Sequence, residues 1–136
     1  MPRVPYGEGA PFSAAIKLCC MCQSWQMILR TTLLLDVPYE YTPHLGFAAA
    51  AGLSDEQIQY ARAASASSDE LKRIYPDAQL RLAYEVAEAM TLHVKVPDDL
   101  ADQLAAVFSA EQVVNLVTLV AAYNFTSRIV TALEVE

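Results

Sequence analysis

Two short signatures constrain the fold of this chain more than any other feature. Ser54-Asp-Glu-Gln57 and Ser109-Ala-Glu-Gln112 each set a capping hydroxyl three residues before a glutamine. In such a capping box the two side chains satisfy backbone N–H groups that a helix start leaves without partners. Leu53 with Ile58, and Phe108 with Val113, add the flanking hydrophobic staple. Ser67-Ser-Asp-Glu70 is a weaker third box, before a short helix that Pro76 closes. Glycine is scarce, with four residues in 136, and no alternating strand pattern or internal repeat is present. These features predict an all-α fold, a single-domain orthogonal bundle of about six or seven helices.

Taken in order, residues 1–11 read as an irregular Pro/Gly-rich arm and 12–136 as the helical domain. Leu18, Cys22, Trp25, Leu29 and Leu33 recur at helical steps, predicting a helix from about 12 to 35 that Asp36 and Pro38 end. The next helix has two possible starts. Either Thr42 caps it with Pro43 at the first helical position, or Glu40 caps it with Pro43 inside the first turn. It runs through Phe47-Ala-Ala-Ala-Ala51 to a C-terminal cap at Gly52. Further helices are predicted over about 78–94, 98–107 and 110–133. The last is apolar on nearly all sides, which suits a central helix or a subunit interface.

The net charge of −7 and the lack of a basic stripe argue against nucleic acid as a partner. The apolar run Val113–Tyr123 is too short to span a bilayer, and no targeting segment is evident, so neither a membrane nor export is expected. Three clustered cysteines (Cys19, Cys20, Cys22) are not a disulfide framework, and a reducing, cytoplasmic setting is the expectation. With 54% hydrophobic residues and 18% charged, the protomer is expected to bury surface against copies of itself, or else to hold a dense core.

The richest chemistry lies in Leu34-Leu-Asp-Val-Pro-Tyr-Glu-Tyr-Thr-Pro-His44. Glu40 and His44 are four residues apart and share a helix face, so a carboxylate can orient an imidazole and make it a general acid/base. The competing reading has Glu40 capping the helix and His44 bonded to a backbone carbonyl. Tyr39 and Tyr41 either donate hydrogen bonds to a substrate or pack, one of each being favoured. Arg30 and Arg128, in apolar helices, suit a clamp on a substrate carboxylate or an ion pair with Glu40 or Asp36. Asn124 serves beside Arg128 in either case. Cys19 and Cys22 form a Cys-x-x-Cys, read first as structural thiols and second as a redox pair. Only His44 and His93 are available as imidazole ligands, so no metal site is expected.

From about Met27 to Glu136 the chain resembles the carboxymuconolactone decarboxylase family, which shares its fold with the alkyl hydroperoxidase D proteins. The resemblance rests on Ile28-Leu-Arg30, Tyr39-Glu-Tyr-x-x-His44 and Ala51-Gly-Leu-Ser-Asp-Glu-Gln-Ile58. It continues with Phe108-Ser-Ala-Glu-Gln-Val113, Ala122-Tyr-Asn-x-x-x-Arg128 and Ala132-Leu-Glu-Val135. The peroxidase branch of that family carries Cys-x-x-Cys-x-x-x-His. Counted back from His44, its cysteine positions hold Val37 and Glu40, and its upstream glutamate position holds Trp25. The chain therefore looks like the branch with an aromatic-Glu-aromatic-x-x-His motif instead.

The resemblance implies a cofactor-free, decarboxylase-like lyase or isomerase acting on a small carboxylated or lactone substrate. His44 would be the acid/base and Glu40 its orienting group, so that His44→Ala or Glu40→Gln abolishes turnover. It also implies a trimer or hexamer. Two alternatives stand beside it: a thiol peroxidase using Cys19 and Cys22, and a non-catalytic helical oligomer.

Overall fold

The computed structural model describes residues 21–63 and 67–135. Seven helices and no strand occur among them: α1 Met21–Leu34, α2 Pro38–Ala50, α3 Asp55–Tyr60, α4 Ser68–Ile74, α5 Ala78–His93, α6 Asp98–Val107 and α7 Ala110–Ala132. The fold is all-α. The N-terminal arm and the first turns expected for the opening helix lie outside the described residues, as do Cys19 and Cys20.

Local chemistry sets the boundaries. α1 closes with Asp36 in the left-handed region at φ 51. Val37 N–H then reaches back to Thr32 O at 3.0 Å and Asp36 N–H to Leu33 O at 3.2 Å. Aspartate tolerates this conformation better than most side chains. The same closure follows α2 with Gly52 at φ 102, Leu53 N–H meeting Ala48 O and Gly52 N–H meeting Ala49 O. Both capping boxes form as the sequence predicts, Ser54 with Gln57 and Ser109 with Gln112. Ser67 accepts from Glu70 N–H and its hydroxyl donates to Glu70 Oε2 at 3.4 Å, while Asp77 caps α5 through Leu80 N–H.

α5 is the central element. It buries Leu82, Ala83, Tyr84, Val86, Ala87, Ala89 and Thr91, and its small residues let α1 pack closely. Met27 from α1, Leu100 and Leu104 from α6, Phe108, and Leu116 and Val120 from α7 complete the main core. Leu29, Ala48, Leu53 and Ala61 form a second cluster under α2.

α7 departs from the central place that its sequence allowed. It buries only Leu116, Val120, Asn124 and Ser127, on one side. Val114, Phe125 and Ile129 stand out on the opposite side, with Phe125 67% exposed. By length and composition alone α7 is apolar enough to cross a bilayer.

Candidate active site

α2 begins earlier than either sequence reading placed it. Pro38 takes the first helical position, with Val37 before it accepting from Glu40 N–H at 3.0 Å and Tyr41 N–H at 3.1 Å. Proline suits that position because its fixed φ is already helical and its missing N–H is not needed. Pro43 falls inside the helix, where it withholds a hydrogen bond from the Tyr39 carbonyl. The earlier start puts Glu40 and His44 both within the helix, one turn apart and facing α7.

α7 answers with the same spacing. Tyr123 and Ser127 are also four residues apart, and the helices run in opposite directions, so His44 meets Tyr123 while Glu40 meets Ser127. The Tyr123 hydroxyl lies 3.3 Å from His44 Nε2. The Ser127 hydroxyl donates to Glu40 Oε2. Glu40 is 6% exposed and Ser127 1%, so this second rung is dry.

The Glu40 carboxylate does not orient His44; the ring bonds a backbone carbonyl, as the competing reading expected, although Glu40 lies inside the helix and does not cap it. His44 Nδ1 bonds the Glu40 carbonyl oxygen, while the Glu40 carboxylate goes to Ser127. A carbonyl only accepts, so Nδ1 carries the proton and Nε2 keeps a lone pair for the Tyr123 hydroxyl. Burial pushes the Tyr123 pKa up, and the negative charge of Glu40 adds to the shift. The phenol therefore stays protonated and donates.

Aromatic rings wall the imidazole, which is half-buried. Trp25 lies 5.5 Å away between centroids, Phe47 6.4 Å and Tyr123 5.7 Å, the last two edge-on. Trp25 also stacks on Phe47 at 5.2 Å. These rings exclude water from part of the imidazole.

The other predicted residues go elsewhere. Arg30 is fully buried and turns away from His44. Its Nη1 donates to Ala61 O at 2.9 Å and Ala63 O at 2.6 Å, and Nη2 lies 3.1 Å from Glu88 Oε2. Its ion-pair partner is thus Glu88, neither Glu40 nor Asp36. Arg128 is exposed and folds back on its own helix, donating to Asn124 O and Oδ1 at 2.8 and 2.7 Å. Asn124 Nδ2 donates to Thr91 Oγ1 at 3.0 Å and Val120 O at 3.1 Å, tying α7 to α5.

The two tyrosines part company because two helical steps turn them to different sides. Tyr41 packs with the cluster under α2, its ring 5.0 Å from the Arg62 guanidinium carbon. Tyr39 lines an apolar pocket of about 520 Å³ with Val37, Val130 and Val135, away from the imidazole. Cys22 Sγ donates to the Ala51 carbonyl.

Sequence reasoning missed Trp25, Phe47, Tyr123 and Ser127. Tyr123 and Ser127 carried one usable signal, a polar pair at the spacing of Glu40 and His44. Comparison with known protein families, with curated proteins and with solved structures found no match for this chain.

Proposed function

We propose that this chain is a cofactor-free acid/base enzyme of the carboxymuconolactone decarboxylase type, acting on a small carboxylated or lactone substrate. The observation that supports it is the fixed tautomer of His44, with Nδ1–H on the Glu40 carbonyl and Nε2 turned to the Tyr123 hydroxyl. Nε2 takes a proton from a carbon beside a carbonyl, or returns one after carbon dioxide leaves. The Tyr123 O–H shifts from Nε2 to the enolate oxygen that develops, which strengthens as charge builds there. Glu40 and Ser127 hold α2 against α7 so that the two groups stay opposed.

The test is deuterium incorporation followed by NMR in heavy water, on a panel of carboxylated γ-lactones and β-keto acids. Exchange is expected at the carbon next to the carbonyl. Tyr123→Phe should slow it while leaving the helical content unchanged. No exchange on any member of the panel rejects the reading.

The same reading has the protomer assemble with copies of itself as a trimer or hexamer. Val114, Phe125 and Ile129 favour this, since they make an uncovered apolar stripe along α7. Sedimentation should give such an oligomer, and Phe125→Asp should shift it toward monomer. A monomeric wild type at micromolar concentration rejects the assembly.

A further inference from the structure

Away from His44, the other side of α1 faces a buried cluster of polar side chains. Trp25 points to the imidazole, whereas Gln26 and Arg30 point to three tyrosines on α3, α5 and the end of α4. The Tyr75 and Tyr84 rings are 5.4 Å apart, and Tyr60 lies 6.2 and 6.1 Å from them. Arg30 stacks over Tyr84 at 4.4 Å. Gln26 neighbours Tyr75, where its amide opposes the effect of burial on the phenol.

Several polar atoms of this cluster are buried without a hydrogen-bond partner. They include Nε and Nη2 of Arg30 and the hydroxyls of Tyr60 and Tyr84. Tyr75 differs, because its hydroxyl donates to Gln57 O at 2.8 Å. Each orphan of this kind has given up its hydrogen bonds to water without replacement, and proteins leave few of them. Burial raises the pKa of Tyr60 and of Tyr84, so both keep their protons and act as donors.

The orphaned side of Arg30 has a shape. Nη1 is used on the Ala61 and Ala63 carbonyls. What is left is the Nε–Nη2 edge, two parallel N–H groups that match the two oxygens of a carboxylate. Glu88 stands 3.1 Å from Nη2 without hydrogen-bond alignment, and its side chain is 25% exposed. A surface pocket of about 380 Å³, lined in part by Tyr60, Ala63 and Ile74, shares Tyr60 with this cluster.

We propose that this cluster is a second ligand site, taking a small free carboxylate on the Nε–Nη2 edge of Arg30. The Tyr60 and Tyr84 hydroxyls donate to the same anion, and Glu88 is the internal carboxylate that gives way to it. This site stands on its own geometry and does not depend on the chemistry assigned to His44.

The test uses the full chain and the Arg30 Nε–H resonance, which a buried guanidinium keeps visible to NMR. Sodium acetate is titrated against sodium chloride at constant ionic strength. Acetate should shift the resonance saturably and chloride should not. Glu88→Gln should tighten acetate binding by about tenfold, because a competing like charge is gone. Tyr60→Phe should weaken it while the protein stays folded by circular dichroism. Equal responses to the two salts, no saturation, or unchanged affinity in Glu88→Gln overturns the proposal.

Discussion

Arg30→Ala should destabilise the protein by about 3–5 kcal/mol, a large part of the roughly 5–15 kcal/mol that holds a domain together. Three contributions add to this. Two charged hydrogen bonds to the Ala61 and Ala63 carbonyls disappear, leaving those acceptors exposed to a dry cavity. Glu88 loses its ion-pair partner. The Tyr84 ring loses the guanidinium stacked on it. Urea unfolding followed by circular dichroism measures the change. Arg30→Lys should recover only part of the loss, since one ammonium cannot span both carbonyls and keep the planar stack. A loss below about 1 kcal/mol in Arg30→Ala would show that the buried guanidinium does not organise this region.

The largest effect on catalysis is expected at His44. On the proposed proton-transfer reaction, His44→Ala should lower kcat by about 10²–10⁴. The fold should tolerate the change, because the ring is half-buried and sits at the edge of the cluster rather than within it. Glu40→Gln should behave differently from what the sequence alone suggested. The amide leaves the main-chain carbonyl on Nδ1 untouched and still accepts from Ser127, so turnover should fall less than about tenfold. Steady-state rates for both variants, with unfolding curves as controls, make the comparison. If Glu40→Gln loses as much activity as His44→Ala, the carboxylate takes part in the chemistry directly.

The helix ends were readable where a single residue decides them. Ser54, Ser109 and Gly52 each have one local job that no distant contact competes with. The start of α2 was not readable, because Pro38 and Pro43 both suit a first turn and only packing chooses between them. The earlier start sacrifices one hydrogen bond at Pro43 and brings Glu40 and His44 into line with α7.

For the site, the same divide applies. Residues four apart on one helix can be read from the chain, and Glu40 with His44 was. Tyr123, Ser127 and Glu88 become partners only through the way α1, α2, α5 and α7 cross. Arg30 shows the limit most clearly. A cation within an apolar helix announces burial, but nothing local says whether it faces substrate or structure.

The paired contacts between α2 and α7 act like a two-toothed key. A slip of one turn along the contact would set Glu40 against Tyr123 and His44 against Leu119, or Glu40 against Thr131 and His44 against Ser127. Small drifts break the buried Glu40–Ser127 bond together with the His44–Tyr123 contact. The alignment of the His44 ring is guarded by a neighbour that never touches it through its own side chain.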